Sequence, residues 1–367
     1  MKGVILVGGE GSRLRPLTSR LPKPMVPIVN RPFLERMIAW IRSHGITDIV
    51  LAMGYLPDRI RERLGDGQEL GVTLTYSVED SPLGTAGAVK LAAGHLDETC
   101  FVFNGDILTD LDLGAMLAAH RQAKATVSIA LTPVDDPTQF GVVEFDANRW
   151  ITKFSEKPRR EEVRSNLINA GTYLIEPHVL ERVPSGQYWM FERGLFPDLL
   201  AAGERLLAYP SDCYWIDIGT PEKYRQVHRD LLAGRLHLHL GRPRDQGLWV
   251  GHGCDIDESA TFTGPVVLGD RVQIGPGAVI AGPTVIGAGS VVGANANVTS
   301  SILWENVRIG DGAIVSDCII ANDSRVDCTA FNALIGANVV IEPGNRLDCG
   351  IRIWPDRVIQ RDTLTFG

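Results

Sequence analysis

From Leu268 onward an aliphatic side chain returns at every sixth position, at Leu268, Ile274, Ile280, Ile286, Val292 and Val298, most of them followed by a glycine. A second set, Val272, Ala278, Thr284, Ser290, Ala296 and Ile302, stands four residues after each of these. This hexapeptide period matches a parallel β-helix, in which each face of a triangular coil takes one six-residue unit and the aliphatics stack inward. A glycine-rich antiparallel sheet or a flexible linker would not keep an aliphatic at every sixth place. The register slips near Trp304 and resumes through Ile309 with Ala313, then Val315 with Ile319.

The chain before the repeat obeys a different rule. Short apolar runs such as Gly3 to Val7, Asp48 to Met53 and Thr99 to Phe103 alternate with helical stretches, one at Leu34 to Ser43 and one opening near Asp112. Strands that are apolar on both faces and separated by helices predict an α/β domain with a mainly parallel, Rossmann-like sheet covered on both sides. Ligands of such sheets bind beyond the carboxyl ends of the strands. Around Ala233 the helical period gives way to turn residues, Arg242-Pro243-Arg244-Asp245-Gln246-Gly247. The expected division is therefore a domain over 1–233, a linker over 234–248 and a β-helix over 249–367.

Composition narrows the functional classes. A formal net charge of -8 argues against a nucleic-acid polymer as partner, because such a partner calls for a basic stripe. The opening apolar run is too short for a secretory signal, and no run approaches the length that spans a bilayer, so a cytoplasmic protein with no membrane partner is expected. The six cysteines are scattered without a CxxC pair, which predicts reduced packing residues rather than a zinc site or a disulfide framework.

The densest chemistry follows the first strand, in Gly8-Gly9-Glu10-Gly11-Ser12-Arg13-Leu14-Arg15-Pro16-Leu17-Thr18 and then Pro22-Lys23-Pro24-Met25. Clustered glycines let main-chain N–H groups approach phosphate oxygens, and Arg13 and Lys23 add fixed positive charge. The spacing matches neither GxxxxGK[ST] nor GxGxxG, so a P-loop or a dinucleotide site is not implied. Asp106 ends the buried run Phe101-Val102-Phe103-Asn104-Gly105, and Asp217 follows Tyr214-Trp215-Ile216. Two carboxylates from distant strands suit Mg²⁺ shared with substrate phosphates. Asp110 and Asp112 are better explained as caps of the following helix.

The stretch LVGGEGSRLRPLTSRLPKPMVPIVNRP closely resembles the signature of the sugar-nucleotide pyrophosphorylases, and especially of mannose-1-phosphate guanylyltransferases that carry a left-handed β-helix. Ser12 stands where that family usually has threonine, and the hydroxyl is kept. The resemblance covers nearly the whole chain. It implies nucleotide binding by Leu6, Gly8, Gly9, Gly11, Ser12, Arg13, Lys23, Glu79, Pro82, Gly84, Thr85 and Asp106. Sugar-phosphate binding is implied for Gly141, Glu156, Lys157, Asn169 and Gly171, metal binding for Asp106 and Asp217, and catalytic roles for Arg13 and Lys23.

The implied reaction joins a nucleoside triphosphate to a sugar 1-phosphate by in-line attack on the α-phosphorus, with release of pyrophosphate. Glu79, in Glu79-Asp80-Ser81-Pro82-Leu83-Gly84-Thr85-Ala86-Gly87, resembles the guanylyltransferase element; related thymidylyltransferases tend to have glutamine there. A carboxylate is acceptor-only and matches the paired N1–H and N2–H donors of guanine, which favours GTP; mannose 1-phosphate as acceptor is what the resemblance implies. The alternatives are a glucose-1-phosphate thymidylyl- or uridylyltransferase, or a non-catalytic regulatory subunit of the same architecture; retention of Arg13, Lys23, Asp106, Lys157 and Asp217 speaks against the latter. Acyl transfer by the β-helix is disfavoured because no histidine follows His252 to serve as base. The β-helix is expected to serve homo-oligomer assembly, so that a chain ending near Ala233 would lose assembly and keep some transfer.

Overall fold

The structure is a computed structural model and describes residues 1–236, 247–348 and 350–364. Most of the expected linker, and Cys349, lie outside the described residues. Contacts divide the chain into two compact units: Met1–Glu10 with Leu34–Ile218, and Gly11–Phe33 with Gly219–Gly367.

The first unit is built on a nine-stranded sheet. Its strands are β1 (Lys2–Val7), β2 (Asp48–Met53), β3 (Thr73–Val78), β4 (Cys100–Asn104), β5 (Val127–Pro133), β6 (Gly141–Phe145), β7 (Ile151–Glu156), β8 (Leu167–Ile175) and β9 (Leu206–Pro210). The order along the main path is β7-β6-β8-β4-β1-β2-β3, and β5 pairs with β8 and β9. The pairs β1–β2, β1–β4 and β2–β3 are parallel, as expected of strands joined by crossover helices. β8 runs antiparallel to β4, β5 and β6, and β6 antiparallel to β7, whereas β9 is again parallel to β5. The sheet is thus Rossmann-like and mixed, parallel where its strands alternate with helices.

Helices α1 (Phe33–Ser43), α2 (Pro57–Leu64), α3 (Gly84–Leu91), α4 (Leu113–Ala123) and α5 (Phe196–Ala201) follow strands of this sheet. Asp112 caps α4, its carboxylate accepting the N–H of Ala115 at 3.0 Å, while Asp110 accepts the N–H of Tyr214 at 2.8 Å. Val4, Val102, Ile129, Tyr173, Phe191 and Phe196 anchor the core around the sheet. Cys100 lies in that core, where burial pushes its thiol up to about 12, so it stays protonated. The five described cysteines are all free thiols. No described helix is long and apolar enough to cross a membrane.

In the second unit the hexapeptide repeats form three parallel sheets of seven, seven and six short strands, one on each side of a left-handed parallel β-helix. Leu268, Ile274, Ile280, Ile286, Val292 and Val298 are all buried in its interior, as are Val272, Ala278 and Ala296. The first coils are in strict register: Leu268 pairs with Ile286, Ile274 with Val292 and Ile280 with Val298, each eighteen residues on. At the slip Ile286 pairs with Leu303, one residue short of a full coil, and the inward place passes to Leu303 instead of Trp304. The indole is too large for a coil interior. It is nevertheless buried, and its N–H donates to the hydroxyl of Tyr224 at 3.1 Å.

Tyr224 belongs to helix α6 (Pro221–Leu232), which opens with Thr220 as cap and Pro221 in its first turn. The same unit takes in the segment Gly11–Phe33. Tyr224 donates its hydroxyl to the carbonyl of Pro27, His228 Nε2 accepts the N–H of Val29 at 3.1 Å, and Asn30 donates to the carbonyl of Ile286 at 3.0 Å. The second half of the glycine-rich signature is therefore packed with α6 and the β-helix.

Candidate active site

In the first unit the expected residues gather at the carboxyl ends of the parallel strands. Leu6 pairs with Asn104 of β4 and Ala52 of β2, which places Gly8, Gly54 and Asp106 just beyond three neighbouring strand ends. Glu79 follows β3, with its N–H donated to the carbonyl of Met53 at 2.9 Å. Its carboxylate lies over a floor of glycine: a methyl group would come within 3.1 Å of Glu79 Oε1 if placed on Gly8, and within 2.5 Å if placed on Gly54. Glu79 Oε2 accepts the N–H of Leu83 at 3.0 Å, so one oxygen shapes the turn before α3 and the other faces the glycines. Gly9 has open space where a side chain would be, as close approach of a ligand to its backbone requires.

Pro82 is exposed on that turn, and Gly84 has φ +71 with the carbonyl of Trp189 where a side chain would stand. The N–H groups of Ala86 and Gly87 at the start of α3 are both taken by Trp189, at 3.0 Å. Thr85 also has internal partners: its hydroxyl accepts the N–H of Phe191 at 2.9 Å and donates to Glu192 at 3.1 Å.

Asp106 and Asp217, more than a hundred residues apart in the chain, meet in a two-stranded antiparallel ribbon. Ile107–Thr109 pairs with Trp215–Asp217 so that Asp217 stands opposite Ile107, the neighbour of Asp106, and Ile218 donates its N–H to the carbonyl of Asp106 at 2.9 Å. Two hard carboxylate donors on adjoining strands fit one Mg²⁺ that completes its shell with phosphate oxygens and water. No group of three or more His, Cys, Asp or Glu side chains is suited to a metal among the described residues, so protein alone does not make a full cage.

The implied sugar-phosphate residues form an adjoining cluster. Gly141 pairs with Glu156 across β6 and β7, and a methyl group on it would meet the ring of Phe154 at 2.7 Å and the Glu156 carboxylate at 3.0 Å. Lys157 is exposed at φ +49, an uncommon conformation for a residue with a side chain, and its amine is 4.0 Å from Glu156. Asn169 and Gly171 lie at an irregularity in β8, where Asn169 accepts the N–H of Gly171 at 2.9 Å. Gly171, at φ +68, approaches the side chain of Asn104 so closely that a methyl group would lie 2.6 Å from its amide nitrogen.

Three residues outside the expected set complete this region. Asn104 has a buried amide oxygen with no hydrogen-bond partner among the described residues, an acceptor facing the same cluster. Tyr173 and Glu192 join the two motifs: Asn169 donates to the Tyr173 hydroxyl at 2.8 Å, which donates to Glu192 at 3.3 Å, and Glu192 also receives Thr85. Burial is the main reason that the Glu192 carboxyl is held above its ordinary range and the Tyr173 hydroxyl well above its own. Asn104 could have been found from its place in FNGD; Glu192 lies in a run, Phe191-Glu192-Arg193-Gly194-Leu195, with no sequence signal of its burial.

Gly11, Ser12, Arg13 and Lys23 fall in the second unit. Ser12–Leu14 is a single 3-10 turn with Arg13 exposed on it, and Lys23 opens a second such turn with its side chain largely buried. Gly11 has φ +62 and accepts the hydroxyl of Thr18 at 2.7 Å through its carbonyl.

A strand-end glycine loop, aspartates brought together by a ribbon and a neighbouring cluster at Gly141 and Gly171 suit the chemistry of nucleotidyl transfer. The nucleotidyl transferase family model matches residues 2–234, and a model described as the GMPPB C-terminal domain matches 262–365. The chain belongs to the nucleotidyl transferase family. This nucleotidyl transferase is 35% identical over 314 residues to a mannose-1-phosphate guanylyltransferase of Mycobacterium tuberculosis, covering 85% of this chain and 82% of that one. It is 34% identical over 346 residues to a UTP–glucose-1-phosphate uridylyltransferase of Synechocystis, covering 90% and 89%. Among solved structures, HddC from Yersinia pseudotuberculosis complexed with GMP-PN superposes with a TM-score of 0.55 at 29% identity, over 63% of this chain and 99% of that one.

Proposed function

We propose that the protein is a mannose-1-phosphate guanylyltransferase, forming GDP-mannose and pyrophosphate from GTP and mannose 1-phosphate. The observation that carries the base assignment is the Glu79 carboxylate over the Gly8 and Gly54 floor, an acceptor-only group where a guanine edge would offer two donors. The similarity to guanylyltransferases over most of the chain supports the acceptor.

In this reading residues 1–233 carry the transfer, 234–248 link and 249–367 form the β-helix, and the protein works in the cytoplasm as a homo-oligomer. The backbone at Gly8, Gly9 and Gly11 with Ser12 cradles the triphosphate, and Arg13 and Lys23 neutralise the reacting phosphates and the departing pyrophosphate. Lys157 orients the phosphate of the sugar 1-phosphate, Glu156 and Asn169 take its hydroxyls, and Gly141 and Gly171 leave room for the ring. Asp106 and Asp217 would hold Mg²⁺, which supplies positive charge to the phosphates when bound. No protein base is needed, since a phosphate monoester oxygen is already a nucleophile.

The 34% identity to a uridylyltransferase keeps UTP with glucose 1-phosphate as the second reading. A matrix of GTP, UTP and dTTP against mannose, glucose and N-acetylglucosamine 1-phosphates, read by pyrophosphate release, decides between them. Highest kcat/KM for GTP with mannose 1-phosphate is expected, and a clear preference for UTP or dTTP would overturn the guanylyl reading. Sedimentation of the full chain as a monomer would remove the assembly role of the β-helix.

A further inference from the structure

The signature segment that carries Arg13 and Lys23 is short of local structure. Around Arg13 it has one three-residue turn, closed by the bonds of Leu14 to Gly11 and Arg15 to Ser12 at 3.0 and 3.1 Å. An exposed arginine on such a turn is aimed only if the turn's main chain is held from outside. Burial of Leu14 and the bond of Thr18 to the Gly11 carbonyl give part of that support, and the far end of the β-helix adds to it. Arg352 donates from one guanidinium nitrogen to the carbonyl of Arg15 at 3.0 Å and, more weakly, to that of Arg13 at 3.4 Å. Four residues on, Asp356 forms a two-pronged ion pair with Arg20, one bond of 2.9 Å and a second, shorter one.

These supports are fixed to the coil. Ile353, beside Arg352, is buried in the β-helix and pairs with Ile335, and Asp356 is itself held by the Asn338 side chain at 3.2 Å. Pairing of Arg352 with Leu334 sets the direction of its backbone, so the guanidinium leaves a rigid ladder rather than a loop. Charge-assisted donation to two carbonyls on either side of Leu14 restrains both translation and rotation of the turn.

The geometry points to Arg352 as a positioning residue for nucleotidyl transfer, through which the last coils of the β-helix hold the Arg13 turn in its working orientation. The inference rests on the proposed nucleotidyl transfer, and it makes the β-helix part of the catalytic apparatus as well as a candidate for assembly. Because Arg352 acts on main-chain carbonyls, its contribution passes through Arg13: misaiming that side chain loses charge stabilisation of the departing pyrophosphate and leaves the sugar-phosphate residues as they were.

The test is steady-state pyrophosphate release by the full-length chain with Mg²⁺, GTP and mannose 1-phosphate, for wild type, Arg352→Ala, Arg352→Lys, Asp356→Asn, Arg13→Ala and the double variant Arg13→Ala/Arg352→Ala. Arg352→Ala is expected to lower kcat about tenfold, the scale of one lost charge-assisted hydrogen bond, with KM for mannose 1-phosphate within about twofold. Arg352→Lys should recover part of the loss, and Asp356→Asn should lower kcat about threefold without change in melting temperature. On the Arg13→Ala background the Arg352 change should cost less than about twofold, the non-additivity expected when one residue acts through the other. Unchanged kcat in Arg352→Ala, or an equal fold loss with and without Arg13, overturns the inference. If Arg352→Ala fails to fold, Arg352→Lys and Asp356→Asn decide, and wild-type kcat in both overturns it. A wild type inert with every donor and acceptor pair overturns the transfer reading itself, whereas an active wild type indifferent to Arg352 overturns this inference alone.

Discussion

A methyl group on Gly11 would lie 2.8 Å from Cβ of Lys23, closer than side chains normally approach. Gly11 also sits at φ +62, so the turn after the first strand requires glycine for both its backbone and its neighbour. Replacement by alanine should cost about 1–3 kcal/mol of stability through strain and displacement of the Lys23 stem. The accompanying loss of transfer should be large, because the displaced side chain is that of Lys23, one of the two basic residues, with Arg13, proposed to act on the reacting phosphates. Thermal unfolding with turnover measured on the same preparation checks this; a wild-type kcat in Gly11→Ala would show that the contact is not demanding.

Asp106→Asn and Asp217→Asn keep the shape of the ribbon while removing a charge each. Each should lower turnover by at least about two orders of magnitude, as removal of a preorganised electrostatic element does. Chelation of divalent ions should stop the wild type, and added Mg²⁺ should restore it. Near-normal activity of either variant would take that aspartate out of the site.

Glu79→Gln retains an acceptor for the N–H of Leu83, so the turn before α3 should persist. What is lost is one charged acceptor toward the base. The ratio of GTP to dTTP efficiency should fall by about tenfold or more, as expected for a hydrogen bond to a charged group. An unchanged ratio, measured from kcat/KM for both donors, would refute base readout by this carboxylate.

Glu192 ties Thr85 to Tyr173 and, through it, to Asn169. Burial raises its folded pKa, so the folded state binds a proton more readily than the unfolded chain. Its stabilising contribution is then complete below the ordinary carboxylate range and is lost as pH rises through the folded value. Glu192→Gln, which cannot ionise, should match the wild type near about pH 4 and melt higher than it near about pH 8. Melting curves that differ equally at both values would separate Glu192 from this titration.

Local pattern made a large part of the protein legible. A coil face accepts one inward aliphatic per six residues, so the β-helix could be read from Leu268 to Val298 without any long-range information. Apolar runs flanked by helices predicted the parallel strands β1, β2 and β4, and Asp112 read correctly as a cap. The antiparallel turn of the sheet at β8 was not visible, because strand direction depends on which edge a strand finds and not on its own composition.

Other relationships came only from tertiary structure, since they join residues far apart in sequence. The ribbon that sets Asp217 opposite the neighbour of Asp106, and the buried Glu192 between the Thr85 and Asn169 motifs, are of this kind. So is the company kept by Gly11–Phe33, which continues a strand of the first unit in sequence yet packs with α6 and the β-helix. From the repeat alone a chain cut near Ala233 is expected to keep some transfer, but the bonds of Arg352, Asp356 and Ile286 to the signature segment lead to the opposite expectation. The sequence determined the repeats, the glycine-rich loop and the acidic strand ends, because each is written in neighbouring residues. Which coil supports which loop was decided by packing, because an exposed arginine such as Arg352 has no pattern of its own until the ladder beneath it sets where its donors point.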